Sequence, residues 1–155
     1  MVASLRNEIH QTAPFGSLQQ EAFLNLCRSA TALEASLETL LKQHGVSLPQ
    51  YNVLRILRGA GRAGLGRNGI RDRLVTRMPD VTRMLDRLER LGLIHRERSA
   101  TDRRQVTTCL SAAGASLLKL LDAPVAAEHQ RRFRQFTKGQ LQSLIELTTL
   151  ARAEA

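Results

Sequence analysis

Between residues 65 and 111 the apolar period changes from step to step, and the changes read helix, turn, helix, two-stranded hairpin. In the second helix Val81, Met84, Leu85, Leu88 and Leu91 recur at spacings of three and four, which makes one helical stripe. At about 100° per residue that stripe lies within about 80° of Val81. The opposite side then presents Pro79, Arg83, Asp86 and Arg90, with Thr82 and Arg87 on its flanks. LIHRERS follows as a β-like run, ATDRR as a tip, and QVTTCLS as a second run. In the latter, Val106, Thr108 and Leu110 alternate with other residues, the period of a half-buried strand. Ahead of the stripe, a helix from about Arg67 to Val75 turns Ile70 and Leu74 inward, and Leu65 supplies a minimal strand beside the hairpin. The entry to the second helix has two readings. Either Thr76 caps it, or Met78 precedes Pro79 as its first helical residue.

A helix backed by core and fronted by arginine can enter a major groove, and a basic hairpin tip can reach the adjoining minor groove. Charge supports this. Residues 60–104 hold twelve arginines against six acids, so less than a third of the chain supplies two-thirds of its formal +9. Such concentration is the electrostatic footprint of a phosphate-binding surface. On this reading residues 78–91 lie in the groove. Thr82 and Arg83 meet base edges, Arg87 and Arg90 meet phosphates, and Arg104 enters the minor groove. Arg77, Pro79, Asp86 and Arg103 complete the surface. Asp102, an acid in a basic tip, is either a turn-former or a carboxylate that holds Arg104 in one rotamer. A rival reading is a dimeric helical adaptor whose basic face binds an acidic protein or an anionic membrane.

The same residues resemble the MarR family of winged helix–turn–helix regulators. The hairpin carries the pattern D-x-R, five residues, L-[ST] in Asp102, Arg104, Leu110 and Ser111. The helix carries a V-T-R run in Val81, Thr82 and Arg83, continued by Asp86 through Ile94. The likeness extends to SLPQYNVLRIL and, more weakly, over residues 17–150. Two positions depart from it: Val75 stands where glycine is frequent, and Arg77 where a capping serine is frequent. The resemblance implies a mainly α fold with a small β-hairpin wing, built as one domain. Residues 46–111 form its DNA-binding lobe, and residues 17–45 and 112–153 its dimerisation helices. It implies a homodimeric regulator, a repressor, on a roughly palindromic double-stranded site with half-sites about one helical turn apart. It also implies a cavity between terminal helices and DNA lobe for a small aromatic or phenolic effector, with Tyr51 and Cys27 as candidate lining.

The remainder of the chain fits one domain of 155 residues with a globular composition. Residues 1–16 lack a clear period and read as a loose arm. A long helix from Ser17 to about His44 carries Phe23, Leu26, Cys27, Ala30, Leu33, Leu37, Leu40 and Leu41 on its apolar face, and Gly45 stops it. Ser47, Pro49 and Gln50 open a second helix with Tyr51, Leu54, Ile56 and Leu57 inward. Ser111 caps a third, which Pro124 should bend or interrupt. Thr137 and Gln140 open the last, with Leu141, Leu144, Ile145, Leu147 and Leu150. These end helices are more apolar than a winged-helix core needs, the usual mark of a subunit contact.

Other chemistry has little footing. The chain holds no Gly-rich phosphate loop, no CxxC and no HExxH, and its four histidines are scattered, so an enzyme, a metal and a cofactor are not expected. No apolar run approaches the roughly 18 residues of a membrane span, and the charged start lacks a signal-peptide core; a cytoplasmic location is expected. Peroxide-sensing relatives carry a first-helix cysteine that would fall near Phe23. Cys27 instead reads as a small hydrophobe on the stripe. Cys109 reads as an inert strand residue.

Overall fold

A computed structural model describes residues 4–98 and 106–153 of the chain. Its helices are α1 (Leu5–Glu8), α2 (Leu18–Lys42), α3 (Leu48–Ala60), α4 (Arg67–Arg71), α5 (Val81–Arg90), α6 (Ala112–Phe133) and α7 (Lys138–Leu150). Three short strands, β1 (Leu65–Gly66), β2 (Ile94–Arg98) and β3 (Val106–Leu110), form an antiparallel sheet in the order β1-β3-β2. The fold is therefore mainly α with a small β wing, as expected. Leu65 pairs with Thr108, so the minimal strand does join the hairpin.

The caps explain where the helices begin. Ser17, Ser47, Ser111 and Thr137 each accept a hydrogen bond from the backbone N–H three residues on. Gln50 and Gln140 close two of these into reciprocal boxes. Gly45, at φ 77°, ends the turn after α2 in the left-handed conformation that side chains avoid.

Around these elements one core forms. Leu41, Val53, Leu54, Leu57, Ile70, Leu88, Leu118 and Leu121 are fully buried, joining α2, α3, α4, α5 and α6. At about 1.5–3 kcal/mol per fully buried large apolar side chain, this is the main term holding α3, α4 and α5 to α6. Arg58 reinforces the junction by donating from Nη1 to both oxygens of Asp122, each at 2.9 Å. The end of α5 is tied to the start of α6 as well. Ser111 Oγ donates to Gly92 O (2.6 Å) while accepting from Gly114 N (3.0 Å), and Ser111 N donates to Leu93 O (3.1 Å). A Cβ on Gly114 would stand 2.2 Å from Leu93 O, so only glycine allows this approach.

Several expectations are corrected. The N-terminal arm holds one helical turn, α1, anchored by buried Leu5. The first helix of the motif stops at Arg71 rather than Val75, because Arg73 and Leu74 bond back to Ile70 and Arg71 in tighter i to i−3 fashion, and Val75, 87% exposed, has no core to pack on. Pro124 does not interrupt its helix: α6 runs unbroken over 22 residues, held on both sides of the proline by buried Leu118, Leu121 and Val125. Val53 joins the core while Ile56 is only partly covered. Leu91 is half exposed, since it follows the last turn of α5 rather than continuing its stripe. Strand β3 does not alternate cleanly: Thr108 and Cys109 are both buried and Val106 is exposed.

Candidate DNA interface

Helix α5 is fixed from behind. Val81, Met84, Leu85 and Leu88 are buried, and Thr82, Arg83, Asp86, Arg87, Glu89 and Arg90 are exposed. The stripe thus orients the outer face as its spacing predicted. The start of the helix differs from both readings. Neither Thr76 nor Met78 begins it; Asp80 is the N-cap, and its Oδ1 accepts from Arg83 N at 3.0 Å. Asp outranks Thr as a cap, and Met78 is drawn partly into the core beforehand. Arg77 and Pro79 therefore lie in the connection ahead of the helix, both exposed, and the helix spans Val81–Arg90 rather than residues 78–91. The sequence signal for Asp80 was present: an aspartate directly before the first stripe residue.

The outward residues are not alike. Arg83 has 88% of its side chain exposed, and its Nε lies 3.1 Å from Asp80 Oδ2. Arg87 makes no ion pair among the described residues. Arg90 folds back so that its Nε donates weakly to Asp86 O at 3.4 Å. Asp86 turns away from the outer face, to the wing, where its Oδ1 accepts from Arg96 Nη2. Arg96 Nε also lies 3.4 Å from Glu89 Oε2, close enough for ionic attraction but without hydrogen-bond geometry, which leaves that N–H buried and unpaired. Asp86 and Glu89 thus clamp the wing's Arg96 against α5, a link that periodicity alone could not show. Thr82 faces a cleft of about 640 Å³ between α5 and the sheet, lined also by Gly66, Asn68, Arg96 and Thr107. Asp102, Arg103 and Arg104 lie outside the described residues, between the paired ends Arg98 and Val106 of the wing strands.

The acids of this basic region are mostly taken up by neighbouring arginines: Asp72 by Arg71, Asp80 by Arg83, and Asp86 and Glu89 by Arg96, while Glu97 lies 3.2 Å from His95 Nε2. Their charge is spent locally, while Arg87 remains exposed to an external anion.

The two candidate effector residues stand in different settings. Tyr51 is buried in the core, and burial pushes its phenol pKa up against the opposing pull of Arg55 and Arg58. Arg55 sits over its ring, 5.9 Å from the centroid. Cys27 is exposed on α2. Neither lines the cleft beside α5 or a second one, of about 440 Å³, where Leu57 and Arg62 face His95 and Cys109. Burial also raises the Cys109 thiol pKa, with Glu97 adding to it, so the thiolate is disfavoured.

Comparison with known proteins agrees with this geometry. The family model described as MarR family matches residues 46–106. A MarR transcription factor from Planctomyces limnophilus is 40% identical; the alignment covers 88% of this chain and 99% of that one, with a TM-score of 0.69. A MarR family regulator from Streptomyces coelicolor, solved in complex with DNA, shares the fold at 21% identity and a TM-score of 0.78, over 91% of this chain and 90% of that one. The homoprotocatechuate degradative operon repressor of Escherichia coli is 25% identical over 79% of this chain and 81% of its own length. An uncharacterised HTH-type transcriptional regulator of Mycobacterium leprae is 38% identical over 50% of this chain, a match that spans about half, 52%, of that protein.

Proposed function

The chain belongs to the MarR family of DNA-binding transcription regulators, and from that premise we propose that it acts as a homodimeric repressor of a roughly palindromic operator, released by a small aromatic or phenolic ligand. The observation that carries the DNA-reading part is α5 itself, with one side buried in the core and Thr82, Arg83, Arg87 and Arg90 exposed on the other. Thr82 and Arg83 read base edges, Arg87 and Arg90 hold phosphates, and Arg104 with Asp102 and Arg103 serves the minor groove. Arg77 and Pro79 border the helix entry. Asp86 acts indirectly, by holding Arg96 and hence the wing.

The division of labour follows the same frame. Residues 46–111 form the reading lobe, and residues 17–45 and 112–153 supply the subunit contact. Helix α7 supports this: none of its thirteen residues is buried, yet Ile145, Leu147 and Leu150 are each more than 60% exposed. An isolated helix of that length is marginal in water, so it calls for a partner surface. Leu18, Phe23 and Leu120 extend the uncovered apolar area over α2 and α6. An effector cavity that uses Tyr51 and Cys27 needs that second subunit to complete it.

Gel shift with selected and random duplexes tests the proposal. We expect strong preference for one palindrome, and log K falling linearly with log salt at a slope of about −5 or steeper per dimer, at about 0.9 per neutralised phosphate. A preference of only a few-fold, with equal or tighter binding to anionic vesicles or an acidic protein, defeats it. Phenolic acids added to the bound complex test the release step.

A further inference from the structure

Asp80 touches Arg83 twice. One carboxylate oxygen accepts from the Arg83 backbone N–H at 3.0 Å, and the other lies 3.1 Å from the Arg83 guanidinium Nε. The first contact is ordinary N-capping and needs only an oxygen on a short side chain. The second is not required by the helix. An exposed pair of this kind adds little to stability and here acts by ionic attraction without hydrogen-bond geometry, yet it holds the Nε edge of a guanidinium whose side chain is 88% exposed beside the capping carboxylate.

Arginine has five N–H donors in a planar fork. With Nε facing Asp80, the terminal amino groups remain, and they meet no acceptor among the described residues. They belong to a side chain that is 88% exposed at the first turn of α5. Two parallel N–H groups there match the O6 and N7 acceptors of a guanine edge in the major groove.

From this geometry we infer that Asp80 is a specificity-determining positioning residue: it pre-orients Arg83 for one guanine in each half-site. The inference rests on the proposed reading that Arg83 meets base edges. It has a definite sign. A carboxylate near phosphates weakens general affinity, so Asp80 trades non-specific binding for discrimination. Removing its charge should tighten binding to random DNA while loosening preference at one base pair.

The test separates the two contacts of Asp80. Asp80→Asn and Asp80→Ser retain a capping oxygen but not the anionic partner of Nε, whereas Asp80→Ala loses both. Affinities of the dimer are measured for the selected palindrome and for duplexes with each half-site base pair changed in turn, alongside thermal melting. We expect Arg83→Ala to abolish discrimination at one G·C pair. Asp80→Asn and Asp80→Ser should reduce it by about 2- to 10-fold, the range set by the cost of ordering one long side chain on binding. They should do so with unchanged melting and with equal or tighter binding to random duplex. Asp80→Ala should add a lower melting temperature. If the wild type prefers no base pair, the DNA-reading proposal falls and the role of Asp80 with it. If Arg83→Ala relaxes one position while Asp80→Asn and Asp80→Ser keep full discrimination there, Asp80 is only a cap. Loss of discrimination spread evenly over all positions also overturns the positioning role.

Discussion

At the residue scale, the arginines of the surface divide by what they can sense. Arg104 lies at the position marked by the D-x-R pattern, and a guanidinium in a minor groove senses width and negative potential more than base identity. Arg104→Ala should therefore weaken binding most on operators with A·T-rich, narrow flanks, by about 1–3 kcal/mol, and leave the core preference intact. Competition between operators that differ only in their flanks checks this; equal loss on all flanks places Arg104 elsewhere. The cysteines differ for a plainer reason. Cys27 is exposed, while Cys109 is buried with its thiol pKa raised. In the native protein Cys109 should react with a chromogenic disulfide only after unfolding. Prompt reaction of both would contradict the burial of Cys109. Burial of this kind also argues against a sensing role for Cys109, since the thiolate is the reactive form.

At the element scale, α2 and α6 are joined by one carboxylate. Glu128 on α6 accepts from Arg131 Nε and Nη2, both at 2.7 Å, and from the Ser36 hydroxyl of α2. Arg132 Nε donates to Ser36 Oγ at 2.8 Å. The Arg131 hydrogen bonds, then that from Ser36, lower the Glu128 pKa to about 2. Because the folded value lies below the unfolded one, about 4.3, the contribution to stability is complete above the unfolded value. It is lost as pH falls through the folded value. Between pH 5 and pH 2.5 the melting temperature of the wild type should drop more steeply than that of Glu128→Gln, and the two should differ most near neutrality. Parallel pH profiles would show that the cluster does not stabilise the junction. Within the reading helix itself the stripe was legible from spacing, because burial of a helix depends on its own period. The entry was not. Asp80, Thr76 and Met78 all satisfy local rules, and the choice depends on Met78 being drawn toward the core.

At the scale of the whole molecule, α2, α6 and α7 leave apolar residues uncovered, and the proposed dimer would bury them. Charges placed on the most exposed part of α7, as in Ile145→Glu with Leu147→Glu, should convert a dimer to monomer or unfolded chain and abolish specific binding, because one half-site alone is weak. Sedimentation beside the gel shift checks both; a dimeric, fully active variant would move the subunit contact to α2 and α6 alone. Leu144 makes a poorer probe, being half covered within its own chain.

The sequence by itself determined the order of the elements from α2 onward, the caps at Ser47, Ser111 and Thr137, and which side of α5 faces inward. Each of these follows from contacts within a few residues, where period and donor–acceptor spacing are complete information. Tertiary structure alone decided that α6 continues through Pro124, that the motif's first helix ends at Arg71, and that Asp86 pairs with Arg96 of the wing. Those outcomes depend on what the neighbouring element offers: buried leucines either side of a proline, no core beneath Val75, and a half-buried guanidinium on the wing that needs a counter-charge.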